Sequence, residues 1–323
     1  MSFRYRVATV FGGSGFIGRH FVQRLAKTGT IIRVATRHPS RAGFLRPMGS
    51  VGQIVPIAVD VQDDASAAAA VRDADLVINL IGILHESGRH TFQAVHAEAP
   101  GRIARAAKAA GAVRMVQVSA IGADAASQSR YARTKAAGEQ AVLEAFPEAT
   151  ILRPSVIFGP EDSFFNRFAA MARALPFLPL FGGGHTRFQP VYVGDVADAL
   201  MAVLNDPASR GKTYELGGPH VYTFREMLEL VLRETGRRRR LVDVPWGMAE
   251  FGAKIVSILP SPPLTIDQLR QLRHDNVVNP GMPTLADLGI SPTSAEVILP
   301  TYMDRFRVGG RFADQRTAGG VTH

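Results

Sequence analysis

The segment Gly12-Gly13-Ser14-Gly15-Phe16-Ile17-Gly18 constrains this chain more than any other. The apolar run Val7 to Phe11 precedes it, and a helix-like stretch from Phe16 to Lys27 follows. A strand, a glycine-rich turn and a helix N-terminus in that order predict a cradle for a dinucleotide pyrophosphate. Absent Cβ atoms let backbone approach the phosphates, and the free first-turn N–H groups with the positive end of the helix dipole stabilise the anion. The window reads both as Gly12-x-x-Gly15-x-x-Gly18 and as Gly13-x-Gly15-x-x-Gly18. Such spacing alone also describes an ordinary tight turn, so its context decides.

The context repeats an alternation. Apolar, β-branched runs at Val7–Phe11, Ile31–Thr36, Ile54–Val59, Leu76–Ile81, Met115–Ser119 and Thr150–Ile157 predict strands. Between them, helices are predicted near Phe16–Lys27, Ala65–Val71, Thr91–Ala110 and Tyr131–Phe146. Strands alternating with helices imply right-handed crossovers and an α/β fold with a doubly wound parallel sheet. After Phe158-Gly159-Pro160, prolines and glycines cluster at Pro176, Pro179, Gly182-Gly183-Gly184 and Pro190, marking an irregular, ligand-facing region. Helices are predicted at Val193–Asn205, Thr223–Thr235, Trp246–Leu259 and Thr265–His274, and the last dozen residues read as an extended or disordered end. The expected organisation is a nucleotide-binding domain over 1–158, with returning segments from 189–210, and a smaller C-terminal α/β lobe over 159–323.

With 323 residues and 46% hydrophobic content, the chain is long and apolar enough for a full core. No apolar run reaches the roughly 18 residues of a membrane-spanning helix. The sequence runs from Met1 almost directly into the first strand, and no secretory signal is expected. Zero cysteines exclude disulfides, thiolate metal sites and cysteine nucleophiles. His85, His90 and His96 read as loop and surface residues, and no metal site is expected. The net charge of +9 fits an anionic membrane surface, an acidic partner or a phosphate-rich cofactor. No nucleic-acid motif accompanies it, so no nucleic-acid partner is expected.

Chemistry concentrates at the predicted strand ends. The second strand ends without the acidic residue that would bind a ribose 2′-hydroxyl, and Arg37 follows it, suited to a 2′-phosphate. NADPH or NADP+ is therefore favoured over NAD, with Arg19 assisting. A solvated surface arginine is the alternative. Asp60 and Val61 end the third strand, placed for the amine and face of an adenine or else as a plain loop cap. Leu80, Ile81 and Gly82 end the fourth, where backbone passes the cofactor ribose. Tyr131 and Lys135, at i and i+4, share one helix face. An ammonium beside a phenol stabilises phenolate, which lets tyrosine exchange a proton during hydride transfer.

Together, the glycine loop, Tyr131-x-x-x-Lys135, Arg153-Pro154-Ser155 and Phe158-Gly159-Pro160 resemble the extended and atypical short-chain dehydrogenase/reductase superfamily, which implies a Rossmann-like fold. That resemblance adds Ser119, Pro154 and Val156 to the cofactor-binding residues. A narrower set is similar to the nucleotide-binding accessory subunit of respiratory complex I. It comprises Val118-Ser119, 146–150, 153–166 with its Gly159-Pro160-Glu161-Asp162 turn, 189–196, Leu264 to Leu269 and Asp275 to Val278. The resemblance implies a tightly held NADPH, complex I subunits of the peripheral arm as partners, and a site close to the membrane.

One departure matters. Active extended members usually carry Ser or Thr where this chain has Ala120, after Val118-Ser119. Losing a preorganised donor at the reacting oxygen costs on the order of 10²–10³ in rate; Ser127 and Ser129 are the possible substitutes. Tyr131 and Lys135 are thus read as a vestigial catalytic pair. The run Arg237–Arg240 and the helix 246–259 are read either as an anionic-lipid contact or as a helix packed in the smaller lobe. The expectation is an accessory and assembly subunit of a proton-pumping NADH:ubiquinone oxidoreductase with little or no turnover. It would sit on the cytoplasmic face of a bacterial inner membrane, or the matrix side in mitochondria. The alternative is a free NADPH-dependent reductase or epimerase acting on a carbonyl or nucleotide-sugar.

Overall fold

The computed structural model describes residues 5–256 and 265–310. The principal elements are β1 (Val7–Phe11), α1 (Phe16–Ala26), β2 (Ile31–Thr36), β3 (Ile54–Ala58), α2 (Asp64–Val71), β4 (Leu76–Asn79), α3 (Ala99–Ala109), β5 (Arg114–Val118), α4 (Arg130–Ala145) and β6 (Thr150–Pro154). They continue with α5 (Phe165–Ala174), β7 (Phe177–Phe181), α6 (Val193–Asn205), β8 (Thr213–Leu216), α7 (Phe224–Thr235), β9 (Arg240–Val244), α8 (Trp246–Val256) and α9 (Ile266–Leu272).

Two compact units result. The first holds residues up to Pro154 together with Val193–Leu216 and Val278–Ser291. The second holds Ser155–Tyr192, Gly217–Val277 and the chain from Pro292 onward. The sequence reading of 1–158 with a return at 189–210 thus differs in its boundary and lacks the second return. That return is held by polar pairing: Asn279 donates to Glu215 through its backbone N–H at 2.8 Å, and the Glu215 N–H donates to the Pro283 carbonyl at 2.8 Å.

The first unit is a seven-stranded parallel sheet in the order β8-β6-β5-β4-β1-β2-β3. Every residue of β1, β4 and β5 is buried, as expected where helices cover both faces. One face packs Phe11, Val77, Met115 and Ile151 against Val71, Ile103, Ala107 and Val142. On the other, α1 packs on α6 and Arg24 pairs with Asp198 at 2.6 Å. Strand order reverses between β4 and β1, so the crevice at their C-terminal ends is the topological switch point where α/β sheets bind ligands.

Several elements, α5, β7 and β9 among them, are absent from the sequence reading, and three further differences have identifiable reasons. The run Thr150–Ile157 ends as a main-sheet strand at Pro154; Ile157 and Phe158 instead pair with Val191 and Tyr192. The stretch Thr91–Ala110 is not one α-helix: Gln93–Glu98 forms a π-helical turn in which the Ala99 N–H bonds the Ala94 carbonyl. Pro100 explains it, since a proline ring clashes with the carbonyl four residues back, and widening the turn carries the His96 carbonyl clear. Strand β8 escaped the pattern because its central residue, Glu215, is a carboxylate that nevertheless lies wholly buried.

The second unit is built on an aromatic core of Phe158, Phe165, Phe168, Phe188 and Phe224 with Met227, Leu228 and Met303. The turn after Phe158 is fixed by Asp162, which accepts from the Gly159 N–H and, at 2.6 Å, from the Tyr302 hydroxyl. In α8, Ala249 and Ala253 pack on Leu269, while Met248 and Phe251 are each 68% exposed. The expected extension of α8 through 257–259, Leu264 and the last dozen residues lie outside the described residues.

Candidate nucleotide site at the switch point

The glycine loop turns at the C-terminal end of β1. Gly12 has φ +76°, a left-handed conformation that favours glycine, and its N–H donates to Ala35 of β2 at 3.3 Å. A Cβ on Gly18 would lie 2.4 Å from the Gly12 carbonyl oxygen and 2.5 Å from Gly13 backbone atoms. Gly18 is therefore required for α1 to start so close to the loop. A Cβ on Gly12 would meet Leu80 backbone at 3.1 Å, which brings the ends of β1 and β4 into contact across the crevice. Gly15 caps α1 without any side-chain hydrogen bond, and the first turn, Phe16, Ile17 and Gly18 after Ser14, carries no acidic residue. The first-turn donors and dipole thus face the loop uncompensated, as an anion site requires.

The other predicted residues of the first unit lie at this end of the sheet. Arg19 lies half-buried, its guanidinium 5.1 Å from the centre of the Phe44 ring. Arg37 is exposed just beyond β2. Asp60 and Val61 follow β3; Asp60 accepts from the Gln62 N–H at 3.0 Å and pairs with Arg89, and these bonds hold its carboxyl below the usual range. At the end of β4, Asn79 accepts from the Ile81 N–H at 3.1 Å and donates to Gln117 at 2.8 Å, which shapes the Leu80-Ile81-Gly82 turn. Pro154 is buried at the end of β6, its carbonyl accepting from Ile121; Val156 belongs to the second unit.

Beside that turn stand Tyr131 and Lys135 of α4. The Lys135 ammonium lies 5.8 Å from the Tyr131 ring centre and would sit 3.5 Å from a Cβ on Gly82. Lys135 is buried, and desolvation, opposed by Glu139, pulls it from 10.5 down to about 8. Glu139 is in turn bound by Arg153 at 2.6 Å, and Arg153 reaches Glu215 at 3.5 Å. This chain of charges crosses α4, β6 and β8 and fixes the height of α4 on the sheet.

His96 is not the surface residue its polar neighbourhood in the sequence suggests. It is 1% exposed, stacks on Phe92 and meets Tyr131 edge-on at 5.1 Å. Its Nε2 accepts from the Ile83 N–H at 2.9 Å, so Nδ1 carries the proton in the neutral ring and has no partner. Burial, then the Lys135 charge, depresses it to about 2. The missed signal was Pro100, which widens the helix at His96.

The hydroxyls near Ala120 differ in their surroundings. Ser129 caps α4 by accepting from Ala132 N–H at 3.3 Å, and Ser127 accepts from Ser129 N–H at 3.1 Å. Both oxygens accept within the turn before α4, which places the two hydroxyls there. Ser119 Oγ, by contrast, is buried without a hydrogen-bond partner. Orphaned buried atoms at Ser119 and His96, with the glycine cradle, fit a large polar group along the switch point. Chemically, the cradle can hold a pyrophosphate, and Tyr131 with Lys135 can move a proton.

The relatives agree with that geometry. Residues 8–217 match the NAD dependent epimerase/dehydratase family. The chain is 40% identical over 316 residues, covering 94% of itself and 79% of its relative, to the mitochondrial NADH dehydrogenase [ubiquinone] 1 alpha subcomplex subunit 9 of Arabidopsis thaliana. It is 36% identical to the mouse protein of that name, over 90% of this chain and 78% of that one. Among solved structures it resembles a dTDP-glucose 4,6-dehydratase of Streptomyces venezuelae, at 19% identity and a TM-score of 0.71, over 97% of this chain and 98% of the other. The chain belongs to the NAD dependent epimerase/dehydratase family, in the branch that includes the alpha subcomplex subunit 9 proteins of complex I.

Proposed function

We propose that this chain is an accessory and assembly subunit of a proton-pumping NADH:ubiquinone oxidoreductase, holding a structural NADP(H) with little or no turnover. The observation that carries the reading is the 40% identity along 94% of the chain to a complex I subunit. Arg37 at the end of β2, with no acidic residue there, supports the 2′-phosphorylated coenzyme. Such a coenzyme supplies hydride chemistry when bound. The residues here support retention instead: Gly12 to Gly18 bind the pyrophosphate, Ser119 and His96 offer unpartnered buried atoms, and Tyr131 and Lys135 flank the ribose end. Ala120 brings no hydroxyl to a reacting carbonyl, and the Ser127 and Ser129 oxygens accept from the turn before α4. A ligand held at a thousandfold its dissociation constant stabilises the fold by ~4 kcal/mol without chemistry.

The partners in this reading are complex I subunits of the peripheral arm near the membrane, on the cytoplasmic side of a bacterial inner membrane or the matrix side in mitochondria. No helix among the described residues is long and apolar enough to cross a membrane. Contact with anionic lipid is supported by exposed Met248 and Phe251 on α8 and exposed Arg238 and Arg240 nearby. Arg237 and Arg239 contribute less, because each donates to a backbone carbonyl, of Phe306 at 3.0 Å and Ala172 at 2.8 Å.

Native separation of detergent-solubilised membranes tests the assembly, with the chain expected in a very large complex and NADP(H) released from it on denaturation. A second reading, a free NADPH-dependent reductase or epimerase, is favoured by the intact Tyr131/Lys135 pair. It also draws on 30% identity over 74% of each chain to a ceramide reductase of Caulobacter vibrioides. Migration alone or as a small oligomer would select it.

A further inference from the structure

We propose that the turn at residues 87–90 presents Arg89 as a second guanidinium for the coenzyme 2′-phosphate, beside Arg37, and that Asp60 serves to aim it. The inference rests on the NADP(H) reading of the glycine cradle and adds the residues that decide between NADP(H) and NAD(H).

The turn is built rather than loose. Ser87 and His90 exchange backbone hydrogen bonds at 3.1 and 3.0 Å, closing it around Gly88 and Arg89. Gln62, two residues past Asp60, donates through Nε2 to the Arg89 carbonyl at 3.0 Å and to His90 Nδ1 at 3.3 Å. The turn is thereby fastened to the end of β3. Asp60 Oδ1 accepts from the Gln62 N–H, and Oδ2 pairs with the Arg89 guanidinium. Both carboxylate oxygens are therefore already engaged by protein donors, which suits Asp60 to orienting Arg89 better than to reading an adenine amine.

Charge points the same way. His90 is held below the ordinary histidine range first by burial, then by Arg37 and by Arg89, with Asp60 opposing. Geometry agrees: Thr36, just before Arg37, pairs with Ala58, two residues before Asp60, so the ends of β2 and β3 that carry Arg37 and Asp60 lie side by side. Two guanidiniums and a single carboxylate there leave net positive charge for a phosphate, which Arg recognises with its planar fork. The plain alternative is a solvent-exposed ion pair that contributes little to anything; Arg89 is 62% exposed.

Equilibrium binding of NADPH and of NADH to the full chain separates these, using wild type, Arg37→Met, Arg89→Met, Arg89→Lys and Asp60→Asn. Wild type should prefer NADPH. Arg89→Met should weaken NADPH by about tenfold and leave NADH within about twofold, the loss of one charge-assisted contact. Arg89→Lys should recover part of that loss, and Asp60→Asn should follow Arg89→Met. If Arg37→Met abolishes the preference while Arg89→Met leaves it intact, the inference falls and the NADP(H) reading stands. Equal weakening of both coenzymes by Asp60→Asn returns Asp60 to the adenine and also overturns it. Wild type without a preference for NADPH overturns the reading and takes the inference with it.

Discussion

At the scale of single residues, burial disfavours the charged forms of both Lys135 and His96, and each has a pH signature. Lys135 falls from 10.5 to about 8, so between those values the unfolded chain binds a proton that the folded chain does not. Stability attributable to this group therefore rises with pH across that window, and the full penalty applies below it. Replacing Lys135 with Met should stabilise the protein on the order of 2–3 kcal/mol at pH 7. The gain should shrink toward pH 10, in thermal melts followed by circular dichroism. A variant gap that ignores pH would contradict the burial of a charged ammonium. For His96, held near 2, the unfolded chain gains a proton below about 6.5 and the folded chain does not, so stability is lost as pH falls. His96→Phe should also remove the acceptor of the Ile83 N–H, costing about 1–3 kcal/mol at pH 7.5, whereas His96→Gln should recover part of it. The burial of neither residue could be read from sequence. The Tyr131–Lys135 spacing was legible because helix geometry alone sets it, but burial of Lys135 depends on Gly82 and His96 arriving from elsewhere.

Among the elements, the close approach of α4 to the π-helical turn is the most sensitive contact. A Cβ on Gly138 would lie 1.9 Å from the His96 carbonyl oxygen, and one on Gly101 2.9 Å from the Ala141 Cβ. Since the obstacle at Gly138 is backbone, Gly138→Ala must push α4 outward, costing about 1–3 kcal/mol or more. Because α4 carries Tyr131 and Lys135, NADPH affinity should fall with stability; a variant that binds NADPH as wild type does would place the site elsewhere. Gly101→Ala meets only a methyl group and should be milder in both readouts. The crossover β1–loop–α1 was readable because its glycines, apolar run and helix start lie within twenty consecutive residues. Strand β8 was not, since Glu215 in its centre becomes compatible with a buried strand only once Arg153 and Asn279 supply its partners.

For the molecule as a whole, the surface of the second unit distinguishes a membrane-proximal subunit from a free enzyme. Replacing exposed Met248 and Phe251 with Glu should abolish flotation with vesicles rich in anionic lipid while leaving the melting temperature unchanged, since neither packs inward. Arg238→Gln with Arg240→Gln should weaken the same flotation and make the residual binding less sensitive to salt. Indifference to all four changes would remove the lipid contact. In a single-turnover assay with bound NADPH and varied carbonyl substrates, no rapid oxidation is expected, because Ala120 supplies no hydroxyl; fast, substrate-dependent oxidation would favour the reductase reading.

Local chemistry, then, was fixed by the order of residues alone: where the chain must turn without Cβ atoms, where a helix begins with no acidic residue in its first turn, and the alternation that makes a parallel sheet. Those features depend on backbone sterics and periodicity over a few residues. Tertiary structure alone decided which charges are withdrawn from water. Glu215, Arg153 and Glu139 are paired across three elements, His96 is sealed by a proline-widened turn, and two of the four arginines after α7 are spent on carbonyls. A charge can leave water only when partners distant in sequence meet it, and no local pattern records that meeting.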